Sequence, residues 1–170
     1  EFRLEVGCAL APMLAQSAED VGNAVERAGG EAAVEWKFDG ARLQIHCSGN
    51  EVRAFTRNLA DVTDRIPEIV EVIRGLPVES VVLDGEAIAL RPDGRPFPFQ
   101  VSMSRFGSQL DVEGLRAATP LSVFAFDVLH LDGRDVLDLP LRERFDALER
   151  AVPAEHRAPR IVTADPDKAS

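Results

Sequence analysis

Only two lysines occur in 170 residues, Lys37 and Lys168, against seventeen arginines. Arginine serves wherever a surface charge is enough, so a lysine in the body of the chain calls for a chemical reason. Desolvated, lysine sheds its proton and becomes a nucleophile, which arginine cannot do. Lys37 sits in Glu35-Trp36-Lys37-Phe38-Asp39-Gly40-Ala41-Arg42, which reads as a strand (33–39) running into a turn. Alternation would place Glu35, Lys37 and Asp39 on one face, backed by Trp36 and Phe38 on the other. An exposed strand with a cross-strand Lys-Glu pair is the competing explanation. Attack on a phosphate fits these residues. It needs an amine drawn down from about 10.4 by partial burial and positive charge. Arg42 supplies that charge and a fork for phosphate or ribose oxygens.

Composition sets the frame. A chain of this length suits one domain, and 45% hydrophobic with 28% charged residues describes a globular protein. The apolar runs are too short to span a membrane, and no secretory signal is visible. Cys8 and Cys47 lack metal-ligand spacing and read as free buried thiols of a reducing, cytoplasmic setting. A net charge of −10 argues against strong nucleic-acid binding by this piece alone. Few lysines beside abundant alanine and arginine also match a GC-rich coding sequence.

Further elements follow from local signals. Ser17 is the expected cap of a helix that closes at Gly29-Gly30. Strands are expected at 42–48 and 51–57, joined by Gly49-Asn50. Pro67 opens a helix to Arg74 that closes at Gly75. A strand begins at Val81 and runs to Leu90, and 98–118 is mostly helical with breaks at Gly107 and Gly114. Leu121 to Leu131 is apolar on both faces, hence expected to be central and covered on both sides. A helix over Leu141 to Val152 and a strand over Arg160 to Thr163 complete the pattern. His46, His130 and His156 lack partners at ligand spacing. The acids Asp127, Asp132, Asp135 and Asp138 read as a solvated face.

Lys37-Phe38-Asp39-Gly40-Ala41-Arg42 resembles the Lys-x-Asp-Gly-x-Arg signature of covalent nucleotidyltransferases, the ATP-dependent DNA ligases, RNA ligases and mRNA capping enzymes. Phe55-Thr56-Arg57-Asn58, Leu83-Asp84-Gly85-Glu86-Ala87 and Phe124-Ala125-Phe126-Asp127-Val128-Leu129 resemble its later motifs, in the family's order. Pro12-Met13-Leu14-Ala15 looks like the entry to the adenylation domain of archaeal-type and eukaryotic DNA ligases, and Phe99-Gln100-Val101 with Arg105 resembles DNA ligases more than capping enzymes. The resemblance implies an α+β fold of antiparallel sheets with flanking helices, and ATP and Mg²⁺ as cofactors. It gives Lys37 the nucleotide as a phosphoramide, Glu35 the adenine amino group, and Arg42 the ribose or nicked strand. Glu86 would bind ribose or the metal, Phe126 would stack on the purine, and Arg57 and Arg105 would contact DNA.

The family's two later motifs, a Glu-Gly strand and a strand with α-phosphate lysines, have no counterpart after Phe126. No OB-fold or preceding DNA-binding domain is recognisable. The expectation is an adenylation domain fragment over residues 1–170, incomplete at its C-terminus and weakly active or inactive alone. Its partner would be nicked DNA, bound weakly, with self-association through an open sheet edge and no membrane. An RNA ligase, a capping-type enzyme or an inactive nucleotide-binding fragment are the alternatives.

Overall fold

The computed structural model describes residues 4–107 and 111–169. Part of the expected helical stretch (108–110), together with Glu1-Phe2 and Ser170, lies outside the described residues. By contact, the chain divides into two compact units: Glu1–Ala11 with Phe38–Arg157, and Pro12–Lys37 with Ala158–Ser170. Each is described by itself.

The larger unit is built on five antiparallel strands. In chain order these are β2 (Ala41–Ser48), β3 (Glu51–Thr56), β4 (Ser80–Ala89), β5 (Leu121–Leu131) and the short β6 (Arg134–Asp135), after β1 of the other unit (Ala32–Glu35). They lie in the order β3-β2-β4-β5-β6, so β4 is central and β5 lies one strand from the edge. Strict alternation sends Leu43, Ile45, Leu83, Ala87, Val123 and Ala125 to one face, where helices pack. Those helices are α2 (Pro67–Arg74), α3 (Phe99–Gly107) and α5 (Leu141–Ala151), whereas α4 (Val112–Ala118) buries no residue fully and α1 (Val21–Arg27) belongs to the smaller unit. Proline in its first turn opens α2, whose Ile69, Val70 and Ile73 enter the core. Each fully buried aliphatic side chain of this kind contributes about 1.5–3 kcal/mol.

Several expectations are corrected. β5 is not covered equally on both sides, because Ser122, Phe124 and Phe126 are only half-buried on its second face. The cap of α1 is Asp20, whose carboxylate accepts the Asn23 N–H, and Ser17 instead offers its carbonyl to Arg27. Gly114 lies inside α4 rather than breaking it. Cys47 is buried but Cys8 is exposed. Asp132, Asp135 and Asp138 of the expected acidic face are exposed, with Asp132 accepting the N–H groups of Glu79 and Ser80 and Asp135 pairing with His130, whereas Asp127 is half-buried and pairs with Arg144.

The smaller unit is a ribbon. β1 pairs antiparallel with β7 (Arg160–Thr163) over four residues each, from Ala32 opposite Thr163 to Glu35 opposite Arg160. The short α6 (Pro166–Ala169), which carries Lys168, packs against β7, and α1 packs against α6. Among the described residues, no helix is long and apolar enough to cross a membrane.

Candidate nucleotide site

The second face of the five-stranded sheet carries the polar and aromatic residues. Register aligns Arg42 of β2 with Glu86 of β4, and Glu86 with Phe124 of β5. One step along, Gln44 faces Asp84 and Asp84 faces Asp127. Arg42 reaches diagonally to Asp84, its Nε donating to Oδ1 at 3.0 Å and its Nη2 to Oδ2 at 2.6 Å. Its guanidinium also lies 5.7 Å from the centre of the Phe126 ring. Hydrogen bonding to Asp84 raises the Arg42 pKa; partial burial opposes this, and the charges of Asp84, Glu86 and Asp127 reinforce it. The positive charge expected of Arg42 is thus answered by a carboxylate of its own sheet.

The segment leading into β2 is fixed to this face. The Phe38 ring stacks on Phe124 with centroids 4.7 Å apart and planes 17° from parallel. The Gly40 N–H donates to Glu86 Oε1 at 3.2 Å. A side chain at position 40 would collide with the Ala87 carbonyl oxygen, and one at position 85 would lie 2.8 Å from the Phe124 carbonyl oxygen. Both motif glycines therefore allow backbone to lie against backbone. Phe126 belongs to this face and not to the core.

Glu35 and Lys37 belong to the smaller unit. Glu35 ends β1 opposite Arg160, whose Nη1 lies 3.9 Å from Glu35 Oε1. The strand stops there, short of the expected 39. The Trp36 N–H still donates to the Pro159 carbonyl at 3.3 Å, but proline has no N–H to return and the ladder ends. Lys37 and Asp39 follow outside any strand, both exposed. Trp36 does not back them, since its indole is 74% exposed.

The two arginines expected on DNA part company. Arg57 is exposed in the turn after β3, which the Thr56 carbonyl closes by accepting the Leu59 N–H. Arg105 is 1% exposed, its Nη1 2.6 Å from Glu68 Oε1, with further hydrogen bonds to the carbonyls of Thr119 and Arg65. Burial alone would raise the Glu68 pKa. Hydrogen bonds from Arg105 and the Leu121 N–H outweigh it and hold the carboxylate below its usual range. Arg105 thus ties α3 to α2, and a phosphate cannot reach it without opening that pair. Asp84, as the partner of Arg42, was the residue missed. The signal was present, because alternation from Glu86 places Asp84 on the same face.

This architecture is shared with solved ligase domains. The chain matches the crystal structure of the ligase domain from M. tuberculosis LigD with a TM-score of 0.59 and 28% identity, over 82% of this chain and 43% of that one. A mycobacterial DNA ligase D complexed with ATP and MES matches with a TM-score of 0.58 and 26% identity, over 82% and 42%. The family model described as ATP dependent DNA ligase domain covers residues 12–168, and the chain belongs to that family. Curated relatives include a "Probable DNA ligase" of Anaeromyxobacter dehalogenans strain 2CP-1, 58% identical over 99% of this chain and 33% of its own length. DNA ligase B of Mycobacterium tuberculosis strain H37Rv is 54% identical, again over 99% and 33%. The chain therefore spans about a third of the length of these relatives.

Proposed function

We propose that this chain is the nucleotide-charging part of an ATP-dependent DNA ligase, with Lys37 as the nucleophile. The observation that carries this is the anchoring of the signature segment: Gly40 is bonded to Glu86 and Arg42 to Asp84, three and five residues after Lys37. A segment built for solubility would not need fixed points at that spacing.

In this reading the neutral Lys37 Nζ attacks the α-phosphorus of ATP. The N–P bond forms, the bond from the α-phosphorus to the bridging oxygen breaks, pyrophosphate leaves with the electron pair, and the amine gives up a proton to solvent. A 5′-phosphate oxygen of nicked DNA then takes the AMP from Lys37, and the 3′-hydroxyl displaces AMP to seal the strand. Phe126 offers its ring face to the purine. Arg42, held by Asp84, keeps a guanidinium fixed for ribose or strand oxygens. Glu35 takes the adenine amino group, and Arg57 takes a DNA phosphate.

Among the described residues, no group of three or more histidines, cysteines and acids could hold a metal. Mg²⁺ suits the site in another way, since it binds through one or two carboxylates plus substrate phosphates, and Glu86 offers one hard oxygen. Bound there, Mg²⁺ would neutralise charge on the phosphates.

Because the chain carries a net charge of −10, its own grip on nicked DNA is weak at physiological salt. β1 and β7 pair only with each other among the described strands, so the isolated chain would self-associate along that edge, which sedimentation would detect. Two unpaired cysteines support a reducing, cytoplasmic setting. The deciding experiment is incubation of the full-length protein with ATP and Mg²⁺. One AMP should be gained in an acid-labile, base-stable bond, and peptide mapping should place it on Lys37. A label on Lys168, or none, would overturn the reading.

A further inference from the structure

Phe126 occupies an irregular place in β5. Asp84 faces Asp127 while the next residue of β4, Gly85, faces Ala125, so Phe126 is an extra residue with no partner on β4. This is a β-bulge, which breaks alternation and re-aims side chains. Here it turns two consecutive residues, Phe126 and Asp127, away from the buried face. It also sets the carboxylates of Asp84 and Asp127 on directly opposed residues, an arrangement that is destabilising when left unneutralised.

Each carboxylate is answered by a different arginine. Arg42 takes Asp84, as described. Arg144 of α5 takes Asp127, with Nε 2.8 Å from Oδ1 and Nη2 3.0 Å from Oδ2. The Nη1 of Arg144 donates to the carbonyls of Leu139 at 2.7 Å and Leu137 at 3.4 Å, which ties the guanidinium to the loop before α5. The Val128 N–H completes the arrangement on Asp127 Oδ1 at 2.9 Å.

We infer that Arg144 is a positioning residue for the nucleotide: by holding Asp127, it leaves Arg42 to Asp84 and keeps the bulged Phe126 aimed at the purine. The inference rests on the function proposed above. Without Arg144, the Asp127 carboxylate would compete with Asp84 for Arg42, drawing the guanidinium away from its fixed place and the bulge with it. Arg144 is spent on Asp127 and on the carbonyls of Leu137 and Leu139, and it lies outside every motif of the resemblance.

The test uses the full-length protein and three readouts: the ATP concentration that half-saturates Lys37 labelling, the single-turnover rate at saturating ATP, and the thermal midpoint. Arg144→Met is expected to raise half-saturation about tenfold, a loss of about one decade in binding, while the saturated rate stays within about threefold. Asp127→Asn with Arg144→Met should bring half-saturation most of the way back, because asparagine still accepts the Val128 N–H but carries no charge. Arg144→Lys keeps the charge without the fork and should fall between. A purely structural role would lower the midpoint in the single and double variants alike and would not split half-saturation from rate. Arg144→Met with a native midpoint and unchanged half-saturation would overturn the inference, as would a double variant no better than the single. If Arg144→Met does not fold, the double variant and Arg144→Lys decide in the same way. Lys37 labelling that is insensitive to Arg144 removes this inference alone; no labelling of Lys37 removes the functional reading and this inference with it.

Discussion

The ribbon of β1 and β7 and the five-stranded sheet are built to different standards of burial. Leu43, Ile45, Leu83 and Val128 are sealed beneath helices, whereas Ile161 and Val162 of β7 are about half exposed. The larger sheet holds its polar face through bidentate ion pairs; the corresponding pair in the ribbon, Glu35 with Arg160, spans 3.9 Å. The lesson is a division of labour. Residues of the proposed binding face stand on deeply buried strands. The proposed nucleophile stands on exposed chain, which suits a group that, in the proposed reaction, meets two successive partners, ATP and the 5′-phosphate.

The largest expected effect separates the two regions outright. Lys37→Arg should reduce AMP labelling to background with an unchanged thermal midpoint, whereas Phe126→Leu should keep the labelling and raise the ATP requirement about tenfold, as loss of one stacking face implies. Labelling retained in Lys37→Arg would break the comparison at its root. Next in size is the buried pair of the larger unit. Glu68→Ala strands the Arg105 guanidinium and should lower unfolding stability by about 3–5 kcal/mol in a denaturant titration, while Ile161→Ala in the ribbon should stay within about 0.5 kcal/mol. Hydrogen exchange should show the same contrast, with Ile45 and Leu83 amides opening only with global unfolding and those of Val34 and Val162 opening far earlier.

A smaller effect is tied to His46. Burial, assisted by the charges of Arg53 and His130, lowers its pKa to about 4. The ring is used in its neutral form: Nδ1 accepts the Gly7 N–H at 2.9 Å, and Nε2 lies 2.9 Å from Gln44 Oε1. The unfolded chain takes up this proton near pH 6.5 and the folded chain only near 4, so stability is complete above about 6.5 and declines as pH falls through that window. The expected loss is about 2–3 kcal/mol. Denaturation midpoints of His46→Gln should show a flatter dependence between pH 4 and 6.5, and an unchanged slope would remove His46 from the account.

Most strands were legible because period-two alternation and turn residues report directly on burial. Gly49-Asn50, Pro67 and the run from Leu121 to Leu131 each marked their element. β1 was overextended because the pattern around Lys37 alternates well, and what ends the ladder is Pro159, more than a hundred residues away. Arg105 was misplaced for a related reason, since a surface arginine and a buried one have the same letter, and only the position of Glu68 distinguishes them. Asp84 was within reach of alternation, but Arg144 was not. Its role depends on a bulge, and a bulge is a mismatch between two strands that neither strand shows alone.

Gly40 and Gly85 change how the signature itself should be understood. Neither glycine has a functional group to offer, yet a methyl at either position meets a neighbouring carbonyl. On the function proposed above, a mutational scan scored by sealing of nicks should find these positions as sensitive as Lys37, though for want of space and not of reactivity. A scan that also reports abundance of the folded protein would sort the motif into two alphabets, one written in clearance and one in chemistry. Transplanting Lys37 and Arg42 onto another strand would carry over only the second.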